Sequence, residues 1–128
     1  MNFKTGETIY HVHALPRSGE KWLDTYIVVK NTTMLKEKVP ALLVQKPDKT
    51  WKDTISLRDA NVIPNTYSCH RIFKTLEAAE AYMADPSQWR PLGFTAEEWA
   101  NGERAKYLND ERFTEHMFNT WFDEWDDE

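Results

Sequence analysis

The chain changes its hydrophobic period once. Up to about residue 73, apolar and polar positions alternate in short runs; beyond it they recur at three- and four-residue spacing. Alternation is the mark of strands, and the longer spacing is that of helices. Residues 8–14 (TIYHVHA) are β-branched and aromatic, which predicts a first strand. Its alternation puts Tyr10, Val12 and Ala14 on one face and Ile9, His11 and His13 on the other. A turn at Pro16-Arg17-Ser18-Gly19 leads into residues 22–31, with Leu23, Ile27 and Val29 inward and Asp24 and Lys30 outward. Residues 31–38 are a polar loop, and residues 39–45 a third strand. Pro40, lacking an N–H, places the start of that strand on an edge or outside the ladder. After a turn at Pro47-Asp48-Lys49-Thr50, residues 51–58 alternate again, with Trp51, Ile55 and Leu57 opposed to Lys52, Thr54, Ser56 and Arg58. A loop broken by Pro64 precedes a fifth strand over residues 67–73.

Three helices follow. Thr75 is an N-cap for LEAAEAYMA, and Asp85-Pro86 stops that helix. Residues 87–93 form a loop carrying Trp89. Thr95-Ala96-Glu97-Glu98 matches a capping box, with Phe94 and Trp99 at staple positions, and its helix runs to about residue 107. The third helix spans residues 108–128, capped by Asn109. There Phe113, Met117, Trp121 and Trp125 follow a four-residue spacing flanked by Phe118 and Phe122, giving an apolar stripe. The predicted fold class is α+β: a small bent five-stranded antiparallel β-barrel over residues 1–74, then a helical acidic extension over residues 75–128 packed on it.

Charge sharpens this division. Residues 1–73 carry 11 Lys and Arg against 7 Asp and Glu, whereas residues 74–128 carry 5 against 14. The acids culminate in Asp123, Glu124, Asp126, Asp127 and Glu128, where they oppose the helix dipole. One reading is a solvated tail on a core helix; the sharper one is a surface aimed at a basic partner. The single cysteine, Cys69, excludes an internal disulfide framework. No apolar run is long enough to span a bilayer, and the N-terminus lacks a signal-peptide core, so a cytoplasmic protein is expected.

Candidate chemistry is sparse. His11 and His13 share one side of a strand and could chelate a metal, but a structural site takes four ligands and nothing in the sequence brings Cys69-His70 to them. Ordinary strand histidines are the default, and neither metal nor cofactor is expected. Cys69 and His70 are strand neighbours pointing apart, which favours a plain buried thiol over a nucleophile. Carboxylates such as Glu97, Glu98, Glu111 and Glu115 read as solvated helix faces. Phosphate-binding, zinc-protease and nucleophile-elbow motifs are absent from the sequence.

The stretches GETIYHV and HRIFKTLEAAEAYM bound a layout, over residues 6–84, of a small β-domain switching into a helix. This layout resembles small accessory proteins of tailed bacteriophages, many of which are SH3-like barrels with added helices. The resemblance implies an SH3-like barrel and a protein that binds and modulates a host factor. The expected function is therefore a non-enzymatic binding protein. It would dock a basic protein, or a nucleic-acid-binding protein by mimicking its ligand, through Trp89, Trp121, Phe122, Trp125, Asp123, Glu124, Asp126 and Asp127. A homodimer through the helical stripe is a further option. The alternative is a barrel binding nucleic acid through Lys46, Lys49, Trp51, Lys52 and Arg58. A small enzyme of unspecified type stands third.

Overall fold

A computed structural model of the chain describes residues 2–34 and 38–109. Strand β1 (Thr8–Leu15) turns into β2 (Glu20–Met34), followed by β3 (Val39–Gln45), β4 (Lys52–Ser56) and β5 (Arg71–Phe73). All pairings are antiparallel, in the order β4-β3-β2-β1-β5. Five strands and their order of appearance agree with the alternation in the sequence. Among the described residues β4 and β5 do not pair, so the sheet is open where a closed barrel was expected.

The β1–β2 hairpin closes where the turn residues predicted. Leu15 pairs with Glu20, and the Gly19 amide donates to the Leu15 carbonyl at 2.8 Å. Gly19 has a φ of +78°, a backbone conformation that side-chain-bearing residues rarely take. Strand β2 then serves two partners in succession: residues up to Ile27 pair with β1, and those from Ile27 onward with β3. A bulge between Val28 and Lys30 separates most of the second ladder from the first. Pro40 lies in an inner strand, opposite Thr33, at the end of the β3–β4 ladder. There the Leu57 amide donates to its carbonyl at 3.0 Å, and its missing N–H interrupts no pairing with β4.

Both faces of the sheet are covered. On one, Ile9, Tyr26, Val28, Leu42, Val44, Ile55 and Ile72 pack with Phe3, Ala60 and the half-buried Leu57 and Val62. On the other, Val12, Ala14, Cys69, Tyr10, Leu23 and Phe73 pack with Ala79, Tyr82, Met83 and Trp89. This corrects the inward set expected for the second strand. Tyr26 and Val28 enter the first core, Leu23 contributes to the second, and Ile27 and Val29 are half-buried. A strand buried on two faces loses the alternation that a one-sided strand shows.

The second core is built by helix α1 (Leu76–Ala84). Thr75 caps it by accepting from the Ala78 amide, a bond whose loss costs about 1 kcal/mol. Asp85 ends the helix, and a 3-10 turn (Pro86–Gln88) delivers Trp89 back to the core. Beyond it, Thr95 and Glu98 make the predicted capping box of a short helix α2 (Ala96–Glu98), and Phe94 meets Trp99 at 5.7 Å between ring centroids. A single helix to residue 107 does not form. A widened turn (Trp99–Glu103) with Gly102 at φ +138° separates α2 from α3 (Arg104–Asn109). No helix among the described residues is long and apolar enough to cross a membrane. The expected third helix lies outside the described residues, apart from its first two positions, which fall in α3.

Candidate functional site

The register of the β1–β2 hairpin brings polar groups together on the first face of the sheet. His11 pairs with Asp24 and His13 with Trp22, so all four side chains stand on one side of neighbouring strands. The His13 ring stacks on Trp22 at 4.7 Å with planes 10° apart, and meets His11 at 4.1 Å. His13 Nε2 lies 3.2 Å from Asp24 Oδ2, and Lys46 Nζ lies 3.2 Å from Asp24 Oδ1. His70 completes the cluster, 5.1 Å from His13 and 6.3 Å from His11 between ring centroids.

His70 arrives on the long connection between β4 and β5, which crosses from one edge of the sheet to the other. The fifth strand is three residues long, not seven, because residues 67–70 belong to this connection. Two asparagines hold it. Asn61, at φ +58°, donates from Nδ2 to the carbonyls of Ser68 (2.9 Å) and His70 (3.0 Å). Its Oδ1 accepts from the amides of Leu92 (2.9 Å) and Asn65 (3.3 Å). Asn65 Oδ1 accepts from the Tyr67 and Ser68 amides, both at 2.9 Å, and Ser68 Oγ donates to the Asp59 carbonyl at 2.6 Å. Asparagine suits both tasks, since it tolerates the left-handed region and offers donor and acceptor to a buried backbone. His70 is fixed in turn: its Nδ1 accepts from the Ala14 amide at 3.2 Å, which leaves the ring proton on Nε2.

Burial sets the charge of the cluster. His11 is only 8% exposed, and burial, followed by repulsion from His13 and His70, lowers its pKa to about 3. Burial and then His13 bring His70 down to about 4, against a partial upward pull from Asp59. His13 is also lowered by burial, with the Asp24 carboxylate opposing. The rings are therefore neutral at physiological pH. His11 Nε2 is buried without a hydrogen-bond partner among the described residues. His13 Nε2 has the Asp24 carboxylate within ion-pair reach.

Two large rings of the β-domain are exposed, Trp22 of this cluster at 43% and Trp51 at 49%. Trp51 precedes β4 and keeps the parity of Asp53 and Ile55, and Lys46 reaches in between β3 and β4 to Asp24. Of the residues singled out for nucleic acid, Lys49, Trp51, Lys52 and Arg58 are exposed, whereas Lys46 is half-buried in its ion pair. Trp89, expected on a docking surface, is 2% exposed and donates from Nε1 to the Tyr82 carbonyl at 2.9 Å. Its ring is part of the second core. Trp121, Phe122, Asp123, Glu124, Trp125, Asp126 and Asp127 lie outside the described residues. Cys69 is fully buried, and burial pushes its thiol up to about 12, so it is not an available nucleophile.

The histidine cluster was readable only in part. A hairpin closing on Pro16-Arg17-Ser18-Gly19 sets Asp24 opposite His11 and Trp22 opposite His13, so the turn chemistry held that much of the site. The approach of His70 depends on the asparagine-held connection, for which no periodicity exists to read.

A family model described as Phage g100-like protein matches residues 1–86. The match covers the whole sheet, α1 and every member of the His11–His13–Asp24–His70 cluster. No curated protein and no solved structure matches the chain. On that match, which spans most of its length, the chain belongs to the Phage g100-like protein family.

Proposed function

We propose that this is a non-enzymatic phage accessory protein of the host cytoplasm that binds a basic partner protein and thereby modulates a host factor. The observation that carries the reading is the exposure of two indoles of the β-domain, Trp22, which stacks on His13, and Trp51, which precedes β4. Large exposed aromatics ringed by charged groups are the composition of interface hot spots, where each anchor contributes about 2 kcal/mol or more. The acidic, aromatic segment of residues 110–128 supplies the complementary charge that speeds encounter. An SH3-like ancestry for the sheet belongs to the same reading. It is supported by β2, which bends through a bulge while passing from one partner strand to the other.

The test is affinity capture from host lysate with the full chain, a Trp22→Ala/Trp51→Ala variant and a chain ending at Asn109. Circular dichroism first establishes that each folds. One basic protein captured by the full chain and lost by both altered chains supports the reading. Capture that is indifferent to both changes refutes it.

The second reading, a single-stranded nucleic-acid binder, is favoured by the shared exposure of Lys49, Trp51, Lys52 and Arg58. It predicts that Lys49→Glu with Lys52→Glu abolishes oligonucleotide binding, and that affinity falls steeply with salt.

A further inference from the structure

We propose that the contact of His70 with strand β1 is an acid-sensitive latch: protonation within the His11–His13–His70 cluster frees the His70 end of the connection over residues 57–70, and β5 with it, from β1. The latch rests on one polar bond. Among the described residues, the side-chain hydrogen bond joining this connection to β1 is the one that the Ala14 amide donates to His70 Nδ1, at 3.2 Å. A ring nitrogen that accepts carries no proton; once protonated it is a donor and opposes the amide proton. His70 therefore cannot take up a second proton and keep this bond. Directly after it, β5 holds to β1 through three residue pairs, from Arg71 to Phe73.

The surroundings leave a new charge without compensation. The ring centroids of His13 lie 4.1 Å from His11 and 5.1 Å from His70, and those of His11 and His70 lie 6.3 Å apart. His11 is 8% exposed, and its Nε2 is buried without a partner among the described residues. Of the groups facing the cluster from β2, Asp24 has His13 at one oxygen and Lys46 at the other, and Tyr26 is neutral. Asp53 on β4, opposite Val44, adds its negative charge on the far side of Tyr26. Asp59 on the connection pulls His70 upward, but its carboxylate already accepts from the Tyr67 hydroxyl. On β5 the residue opposite His11 is Ile72, which carries no charge. Protonated His13 would keep Asp24 beside it. Protonated His11 and His70 would meet no carboxylate that is not already engaged, and lifting of the connection places both rings in water.

The direction of the response is fixed by burial, which lowers His11 from 6.5 to about 3 and His70 from 6.5 to about 4. A group lowered in the closed form contributes stability that is full above its ordinary pKa and is lost as pH falls toward its closed value. Between pH 6.5 and pH 4.5, each ring freed on opening favours the open form by up to about fiftyfold.

The experiment is amide hydrogen exchange of the full chain by NMR at pH 6.5 and pH 4.5, expressed as protection factors, with the histidine ring resonances followed in the same samples. Wild type is compared with His70→Asn, whose side-chain oxygen can accept from Ala14 at either pH, with His11→Leu, and with a control in the chain's fourth histidine, His116→Gln. Circular dichroism establishes that each folds. In wild type the protection of Ala14 should fall by about tenfold or more on acidification, while Val44 on β3 keeps its protection. That fall should be smaller by about fivefold or more in His70→Asn and in His11→Leu, and unchanged in the control. Should one cluster variant fail to fold, the other gives the reading. Ala14 protection that does not fall, that falls in step with Val44, or that falls equally in the cluster variants overturns the proposal. So does loss of the effect in His116→Gln, or titration of the His11 and His70 rings at ordinary pH in the folded chain.

Discussion

Asn61 ties the connection that carries His70 to itself and to the segment at Leu92, and replacing it by aspartate isolates its electrostatics from its shape. Asn61→Asp keeps the side-chain outline and the left-handed backbone, which aspartate also tolerates. One oxygen still accepts from the Leu92 and Asn65 amides. The other replaces an NH₂ that donates to the carbonyls of Ser68 and His70, at 2.9 and 3.0 Å. Two donated bonds thus become two oxygen–oxygen contacts inside a site that is 4% exposed. A buried charge left without a partner costs about 3–5 kcal/mol. The introduced carboxyl escapes by holding a proton, so its folded pKa rises above the unfolded value of about 3.9. A group raised in the folded state contributes least stability at high pH and recovers it as pH falls. In its protonated form it donates to one carbonyl again, leaving a deficit of about 1–2 kcal/mol. Urea unfolding followed by far-UV circular dichroism at pH 7.5 and pH 4.5, with wild type measured at both, reads the difference and cancels the histidine contributions. A loss below 1 kcal/mol, or one identical at the two pH values, would refute the role assigned to Asn61.

Other consequences are simpler to read. Trp89→Ala should cost about 3–5 kcal/mol in chemical denaturation, as a core ring does, whereas a surface anchor would cost almost nothing. Gly93→Ala would set its new carbon 2.5 Å from the Asn65 carbonyl oxygen, where the Gly93 amide already donates at 2.6 Å, and should lower stability by about 1–3 kcal/mol in the same assay. Burial raises Cys69 from 9.0 and Tyr107 from 10.0, each to about 12. Raised folded values mean stability that is full below pH 9 and lost toward pH 12, so Tm should fall across that window, and Cys69→Ser should flatten its lower part.

The strands were legible because each carries its own signal. Alternation located β1 and β3, turn residues fixed the first hairpin, and Thr75 and Thr95 announced their helices through side chains that cap backbone amides. What failed to show was anything held at long range by polar side chains. Residues 57–70 have no period, yet Asn61 and Asn65 give them a defined path, and that path decides where β5 begins and what His70 meets. Trp89 illustrates a different limit. A loop tryptophan after a helix stop reads equally as anchor or core, and only the inward course of the 3-10 turn decides between them. The inner side of β2 was misread for a related reason: α1 and the long connection cover opposite faces, which removes the polar half of the expected alternation.

The position of β5 also has a consequence for how the molecule is made. β1 to β4 form a meander of neighbouring strands, whose pairing needs only local closure and is fast. β5 must return across the sheet to join β1, where Phe73 meets Tyr10 across much of the chain. The chain entropy of that closure is recovered only when the connection and α1 settle on their two faces. During synthesis the outer side of β1 therefore stays bare until β5 has left the ribosome, and that exposed edge is the stage at which the nascent chain is most open to pairing with a wrong strand. A substitution that weakens the hold of Asn61 prolongs this interval, so its cost in the cell is a lower yield of folded protein before it is a lower melting point.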